Sequence, residues 1–402
     1  MSDCLAQAAR QSPALAAAFY RWQGALQRAP QAKALPDPVL GYTYFYHPTD
    51  ERGEFTVMQM FPWFGKLDAA AQAAAAEAQM AFQEYQQQRL SLFYDVKRAY
   101  SEYYYLAAAA AATEETLGYL QSLEPVVRTR YAAGGGSQTV LLRLQVEIGR
   151  TENDLRSLRD QRAPAAAQLN ALLNRPLEAV LAWPSELPGA NLAVPEEQVL
   201  ALLPQRSPEL AALAAQIEQA GHEARLAEKG YYPDFSVGLM YMDMRAPMME
   251  SQRHARDPVG LMFSLNLPLN RGKYDAAVRE ALARQHAARA QRADRQNLQS
   301  AQASMALYGW RDARRRVDLY ARALIPRVRE ALAVTQQAFT AGQADFLDLV
   351  DGVRNLLEFQ LARQRARADQ AARLAELEML VGAPLAADDL PGAFSPPAAG
   401  QP

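Results

Sequence analysis

The sequence predicts a mainly α-helical fold with a small β part, in which a helix, a β-hairpin and a long helical hairpin occur twice. Three observations predict it. Five short motifs recur in the same order in both halves of the chain, four segments alternate between apolar and small or polar residues, and the segments after them have a helical composition over long stretches. A chain of 402 residues is long enough for two such units and a connection between them.

The duplication is visible in paired motifs. "QSPALAA" at 11–17 matches "RSPELAA" at 206–212, and "GKLDAA" at 65–70 matches "GKYDAA" at 272–277. Three further pairs keep the order. They are "PDPVLGYTY" (36–44) with "PDFSVGLMY" (233–241), "RYAAGGGSQTVL" (130–141) with "AFTAGQADFLDL" (338–349), and "LLNRPL" (172–177) with "LVGAPL" (380–385). The offset rises only from 195 to 208 residues, which indicates a tandem duplication.

This pattern divides the chain into four parts. We expect a first structural repeat at 1–177 and a second at 205–385. Residues 178–204 are rich in proline and interrupt the helical periodicity, so they are predicted to link the repeats. The tail at 386–402 contains Pro and Gly without a periodic pattern and is predicted to be disordered.

Each repeat is predicted to contain two strands. They lie at 39–47 and 54–61 in the first repeat, and at 235–243 and 259–267 in the second. In the last strand every second residue is Val, Leu or Phe, while Gly, Met, Ser and Asn lie between them. Transmembrane β-strands have this length and alternation, although a hairpin packed on a soluble core would also account for it. Four strands cannot close a barrel, so in a membrane several chains would have to share one.

Long helices follow each pair of strands. They are predicted at 66–131 and 137–173, and again at 273–340 and 345–382. The first would extend roughly 100 Å at 1.5 Å per residue. Ala, Gln, Glu and Arg dominate these segments, with Leu, Val and Tyr at heptad-like spacing, as in a coiled-coil wall.

The stretch "FPWFGK" at 61–66 is predicted to be the place where a strand becomes a helix. Pro62 ends the strand pairing, and Gly65 permits a sharp turn. Lys66 is expected to extend toward a membrane surface, and Asp68 suits the first turn of the following helix.

Composition and motifs exclude several classes of protein. No apolar run is long enough for a transmembrane helix, and a net charge of -2 is not that of a nucleic-acid-binding protein. Cys4, the single cysteine, can form no disulfide within the chain. The four histidines are scattered and no catalytic or phosphate-binding motif is present, so we expect neither an enzyme nor a cofactor. The sequence shows no secretory signal peptide, which leaves the export route to inference.

With these motifs in the same order over nearly its whole length, the chain resembles the TolC-like outer-membrane efflux channels. It is most similar to the heavy-metal (CusC- and CzcC-like) branch of that family. The resemblance implies a homotrimer with a twelve-stranded membrane β-barrel and a periplasmic α-helical tunnel. It also implies an outer-membrane location in a Gram-negative bacterium, contact with outer-membrane lipid, a periplasmic adaptor protein as partner, and an inner-membrane pump of the RND type.

The resemblance also assigns candidate site residues. The tips of the two helical hairpins, where an adaptor would bind, contain seven of them: Gly134, Gly135, Gly136, Ser137, Gly342, Gln343 and Ala344. The family's constriction pattern falls on "LDLVD" at 347–351, so Asp348 and Asp351 are expected to narrow the tunnel exit. The alternative is that both are ordinary solvated acids on one helix face.

A cluster of methionines suggests the substrate. Met240, Met242 and Met262 are predicted to share the face of the strands that also carries Gly and Ser. Thioethers bind soft ions such as Cu(I), but methionine also fills space in packed interiors. We therefore expect an exit duct for Cu(I), Ag(I) or small toxic compounds. A type I protein-secretion duct is one alternative, and a soluble coiled-coil scaffold is another of a different class.

Overall fold

The computed structural model describes residues 1–46, 51–133, 137–244 and 257–386. These residues form a mostly helical protein with one small antiparallel sheet, and the order of elements occurs twice. The predicted fold class is thereby confirmed. None of the helices in the described ranges is long and apolar enough to cross a membrane.

The first repeat begins with three short helices, α1 (Ser2–Gln11), α2 (Pro13–Leu26) and α3 (Arg28–Lys33). The strands β1 (Val39–Tyr44) and β2 (Glu51–Phe61) follow, and residues 47–50 between them lie outside the described part. The helical hairpin of this repeat consists of α4 (Lys66–Ala132), α5 (Gln138–Asp160) and α6 (Arg162–Leu172).

The second repeat has the same order. It contains α7 (Glu196–Arg206), α8 (Pro208–Glu228), β3 (Phe235–Met244) and β4 (Val259–Leu265). Its hairpin consists of α9 (Arg271–Leu319), α10 (Ile325–Thr340) and α11 (Phe346–Val381).

Two predicted long helices are interrupted. The helix expected at 137–173 breaks at Gln161 because Pro164, in the first turn of α6, has no N–H to donate to the preceding turn. The helix expected at 273–340 contains a π-helical turn at Tyr320–Leu324, directly before Pro326. A proline at the start of α10 again removes a backbone donor, and the wider turn accommodates the loss.

The predicted linker at 178–204 was too long. Helix α7 begins at Glu196, immediately after Pro195, and carries two acids in its first turn, where the helix dipole favours them. It corresponds to α1, because each is followed by a Ser-Pro pair that starts the next helix. The tail predicted to be disordered lies outside the described residues, apart from Ala386.

The described chain divides into two compact units. A helical unit comprises Met1–Ala17, Gln86–Ser207 and the chain from Gln296 onward, and a sheet unit comprises Ala18–Tyr85 and Pro208–Arg295. In the helical unit, the chain between the repeats is fixed by aromatic donors. The Tyr103 hydroxyl donates to the Leu181 carbonyl (2.9 Å), and the Trp310 indole N–H donates to the Ala190 carbonyl (2.7 Å).

The sheet unit contains all four strands in the order β1-β2-β3-β4, each antiparallel to its neighbour. The central pair, β2 with β3, joins the two repeats through a long ladder from Glu51–Met244 to Phe61–Phe235. β1 and β4 are the edge strands of the sheet in the described chain.

The exits of the strands meet at Asp234, just before β3. Its carboxylate accepts the backbone N–H of Trp63 (2.8 Å) and pairs with the Lys66 ammonium (2.7 Å), while its carbonyl accepts the N–H of Asn266 (2.9 Å). Lys66 also donates to the Tyr232 carbonyl (3.1 Å), and its side chain is only 16% exposed. Lys66 therefore forms a largely enclosed ion pair within the protein, whereas the sequence predicted that its side chain would extend toward a membrane surface.

Gly65 makes the turn itself. Its φ of 77° lies in the left-handed region, and a Cβ there would lie 2.9 Å from the Lys229 ammonium. That ammonium donates to the Phe64 carbonyl (3.3 Å), and the rings of Trp63 and Tyr232 stack at 5.5 Å. The expected role of Gly65 as a sharp turn agrees with this geometry.

We expect Asp234→Ala to lower the free energy of unfolding by about 2–3 kcal/mol, because hydrogen bonds to charged groups contribute about 1.5–3 kcal/mol. The substitution leaves the Trp63 N–H without its acceptor and Lys66 without its counter-ion. Unfolding of the purified protein by denaturant in detergent measures the effect. The control is Glu280→Ala, which removes an exposed i,i+4 partner of Arg284 and should cost about 0.5 kcal/mol or less. Equal losses in both variants would contradict the role of Asp234.

Candidate functional site

One face of the sheet is mainly apolar. Directly opposed residues in an antiparallel ladder point to the same side, so the register assigns each face. Leu40, Val57, Leu239 and Leu261 form one row of this face. The next rows contain Tyr42, Phe55, Tyr241 and Val259 toward one end, and Gln59, Val237 and Phe263 toward the other. Phe263 is 74% exposed and Leu261 60%, so neither is covered by the rest of the chain.

The opposite face combines small, polar and methionine side chains. Its rows contain Gly41, Thr56, Met240 and Gly260, then Val39, Met58, Gly238 and Met262, then Met60, Ser236 and Ser264, and finally Thr43, Glu54 and Met242. The three methionines singled out in the sequence lie on this face together. Met58 and Met60 in β2 lie on the same face, and the alternation of residues within β2 is the sequence signal that indicates them.

On the methionine face, one thioether lies across a neighbouring strand. A Cβ built at Gly260 would lie 2.9 Å from the Met240 Cε atom, so this thioether lies flat on the neighbouring strand. Within the described residues, no group of three His, Cys, Asp or Glu side chains could hold a metal ion. Met248 and Met249 in the following loop lie outside the described part of the chain.

The tip of the second hairpin is fixed by a clamp between helices of the helical unit. The Arg130 guanidinium near the end of α4 donates to the Phe339 carbonyl (2.8 Å) and lies over the Phe339 ring at 5.1 Å. Gly342 has a φ of 78°, and a Cβ there would lie 3.1 Å from the Arg130 Nη2 atom. Only glycine adopts this backbone without strain while leaving room for the guanidinium.

The other tip residues have distinct local roles. Ser137 is the N-cap of α5, and its hydroxyl accepts the Thr139 N–H (3.2 Å). The Gln343 N–H donates to the Ala338 carbonyl (2.8 Å), and Ala344 packs partly buried on the apolar tip core around Phe346. Gly134, Gly135 and Gly136 lie outside the described residues.

Asp348 and Asp351 are both exposed at the start of α11. Asp348 lies in the first turn, where the helix dipole favours an acid, and Asp351 lies 3.5 Å from the Arg354 guanidinium. Arg354 in turn donates from Nε and Nη2 to both carboxylate oxygens of Glu147 on α5. These hydrogen bonds lower the pKa of Glu147, whose side chain is only 9% exposed, so this pair stays ionised at neutral pH. Sequence reasoning missed Glu147 and Arg354 because they are 207 residues apart.

The chain thus combines a sheet that has one largely apolar face with a long helical hairpin in each repeat. The profile of the family described as "Outer membrane efflux protein" matches residues 4–175 and 199–383. The chain belongs to the outer membrane efflux protein family. It is thus an outer-membrane efflux channel protein of the Gram-negative type and not an enzyme, which removes the coiled-coil scaffold alternative.

Solved structures have the same fold. The outer membrane protein VceC from Vibrio cholerae matches with a TM-score of 0.80 at 19% identity, over 95% of this chain and 96% of that chain. CusC matches with a TM-score of 0.78 at 15% identity, over 95% and 92%. The MtrE outer membrane channel of Neisseria gonorrhoeae, solved in an open state, matches with a TM-score of 0.76 at 17% identity, over 95% and 89%. No curated protein sequence matches the chain.

We expect Leu261→Arg and Phe263→Arg to reduce the amount of assembled protein in the outer membrane. An arginine on the lipid-facing side of a membrane strand costs about 2–4 kcal/mol near the midplane. The matched control is Ser264→Arg, which adds the same side chain to the opposite face of the same strand. Quantitative blotting of membrane fractions measures the outcome. Normal yield for the first two variants, or a greater loss for Ser264→Arg, would reverse the assignment of the faces.

Proposed function

We propose that three copies of this chain form the outer-membrane exit duct of a tripartite efflux system that exports soft heavy-metal ions. The observation that carries the proposal is the open four-stranded sheet with one exposed apolar face. Open strand edges are not tolerated in hydrocarbon, so β1 and β4 need partners from other copies. Three copies would supply twelve strands, and the long hairpins would then enclose a periplasmic tunnel.

The tips support an adaptor as the periplasmic partner. Beside the tip core, α5 and α11 border a groove of about 380 Å³. Leu142, Val146 and Leu347 line it and are 53%, 70% and 43% exposed, while the Arg354–Glu147 pair closes one side. Exposed apolar side chains at a polar helix end favour docking of another helical protein. An adaptor bound here would connect the duct to an inner-membrane pump of the RND type.

We assign the tunnel constriction to Asp348 and Asp351. Their exposure near the hairpin tip supports this role, and no ion pair neutralises Asp348 in the described part of the chain. Three copies would give a ring of six carboxylates, which favours cations. Gating would then involve the neighbouring Glu147–Arg354 pair, since it joins the two helices that border the exit.

The substrate class rests on the methionine face. Five thioethers, those of Met58, Met60, Met240, Met242 and Met262, lie on the side of the sheet that would line the pore. A duct needs weak contacts at several places rather than one tight site, and thioethers suit Cu(I) and Ag(I). The same arrangement supports the heavy-metal branch of the family over branches that export organic compounds.

The proposal is tested first by the mass of the purified protein. In mild detergent we expect a trimer by light scattering and native mass spectrometry, because four strands per chain must be completed by other copies. Circular dichroism checks that the sheet is intact. A stable monomer with an intact sheet would contradict the proposal.

We expect the double variant Asp348→Asn with Asp351→Asn to weaken cation selectivity and block by multivalent cations in planar bilayers. The loss of six carboxylates from the exit removes the local negative potential. A matched control, Asp294→Asn with Asp318→Asn, removes two acids per chain from α9 outside the proposed constriction. Unchanged selectivity and block in the first variant would return both aspartates to the role of solvated helix acids.

Replacing the five methionines by leucine tests the substrate. Leucine keeps size and apolarity but removes the thioether, so copper and silver tolerance should fall in cells that lack their own exit duct. Tolerance of an organic dye should be retained, and Met305→Leu on an exposed face of α9 should change neither. Undiminished metal tolerance in the fivefold variant would show that the methionines serve packing.

A further inference from the structure

The lysines of this chain have an unusual distribution. Of 42 basic residues only five are lysine, namely Lys33, Lys66, Lys97, Lys229 and Lys273. All except Lys97 lie within eight residues of a strand, either just before β1 and β3 or just after β2 and β4. The long helices, in contrast, carry arginine at almost every basic position.

The four lysines lie at the same end of the sheet. Because neighbouring strands in the order β1-β2-β3-β4 are antiparallel, β1 and β3 start at the same end of the sheet at which β2 and β4 finish. At this end Phe61 pairs with Phe235, and Phe235 pairs with Leu265. Each strand therefore has one lysine at this end, which we call the lysine belt. The described residues at the other end of the sheet include no lysine; they carry Arg52 together with Glu51, Glu54, Asp243 and Asp257.

Among the described residues, three of the four ammonium groups have no acidic partner. Lys66 is neutralised by Asp234 and belongs to the internal clamp. Lys33 and Lys273 are exposed, and Lys229 donates only to the Phe64 carbonyl, which is neutral. Within the described chain no carboxylate forms a salt bridge with Lys33, Lys229 or Lys273. In the described chain these three ammonium groups are thus not held in ion pairs, and Asp37, Glu228 and Asp275 are the acids nearest to them in the sequence.

Local helix chemistry does not account for this charge. Lys33 ends α3, where a cation is favourable, but Lys273 lies in the first turn of α9, where the helix dipole disfavours it. Arg271, which begins the same helix, adds a second unfavourable charge. Positive charge at this position is thus more consistent with an external anion than with stabilisation of the helix.

Exposed apolar residues lie beside the belt. Phe64 is 74% exposed, Leu267 60%, Leu269 84% and Tyr232 49%. Leu267 continues the alternation of the apolar face beyond β4. Cations on flexible stems next to exposed apolar side chains match the boundary between acyl chains and phosphate groups of a membrane leaflet. A free phosphate ion has no apolar part that could contact these side chains.

We propose that Lys33, Lys229 and Lys273 bind the phosphate groups of anionic phospholipids in the leaflet nearer the helical hairpins. The proposal rests on the membrane placement of the sheet given under the proposed function. A lysine ammonium is a compact charge on a flexible stem, which suits mobile headgroups better than the planar guanidinium of arginine. With three copies the belt would surround the duct and fix its depth in the membrane.

Native mass spectrometry of the full-length protein in detergent, titrated with phosphatidylglycerol, tests the belt. We expect the wild type to bind phosphatidylglycerol more tightly than phosphatidylcholine and to show no competition by millimolar inorganic phosphate. In the triple variant Lys33→Gln, Lys229→Gln, Lys273→Gln, the affinity for phosphatidylglycerol should fall by about fivefold per lysine, or roughly a hundredfold, as expected for about 1 kcal/mol per charge.

Two further triple variants complete the design. Replacing the same three lysines by arginine retains the charge and should largely restore the affinity. Replacing Arg289, Arg327 and Arg329 by glutamine removes three exposed charges from α9 and α10 and should leave the affinity unchanged. If the triple lysine variant does not fold, Lys33→Gln and Lys273→Gln are measured singly, since both side chains are exposed.

Equal phosphatidylglycerol affinity in the wild type and the glutamine variants would overturn the proposal. The proposal would also be overturned if replacing Arg289, Arg327 and Arg329 by glutamine lowered the affinity as much as replacing the three lysines. Full displacement of the lipid by inorganic phosphate would overturn it too. Because the assay requires neither conductance nor a pump, a trimer that conducts but shows no lysine-dependent binding overturns only the lipid site. A protein that remains a monomer would instead overturn the proposed function.

Discussion

The ion pair between Asp234 and Lys66 is the contact on which the arrangement of the sheet unit depends. The carboxylate precedes β3 in the second repeat, and the ammonium begins α4 in the first. Through Trp63 and Asn266 the same residue also contacts the ends of β2 and β4. Three strand ends are thereby held next to one another. The Lys66 and Asp234 side chains are 16% and 22% exposed, so water competes less with these bonds than it would at an open surface.

The position of these strand ends determines the register of the strands, and the register determines which side chains lie on each face of the sheet. A shift of β3 by one residue along β2 would move Leu239 and Tyr241 to the face of Thr56 and Met58. Glycine at position 41 is required by this register, because a Cβ at Gly41 would lie 2.6 Å from the Thr56 hydroxyl. The close approach lets polar and thioether side chains lie flat on one face, while the other face stays apolar and suited to lipid.

At the tip of the helical unit, other contacts hold the turn between α10 and α11. Because Gly342 has no side chain, Arg130 can donate to the Phe339 carbonyl near the end of α10 and cover the Phe339 ring. The Glu147–Arg354 pair lies at the edge of the apolar tip core, where loss of Arg354 would leave the enclosed Glu147 carboxylate as a poorly solvated charge.

The sequence by itself determined the duplication, the type and order of the elements, and the alternation that separates an apolar face from a polar one. These features are local, because they depend on spacing of two or of three to four residues along the chain. It indicated the turn at Gly65 and the family, and it grouped Met240, Met242 and Met262 correctly on one face. Only the tertiary structure paired Asp234 with Lys66 and Glu147 with Arg354, added Met58 and Met60 to their face, and aligned four lysines at one end of the sheet. Those relations join residues far apart in the chain, and pairing across such distances follows from strand register and helix packing, which no local pattern specifies.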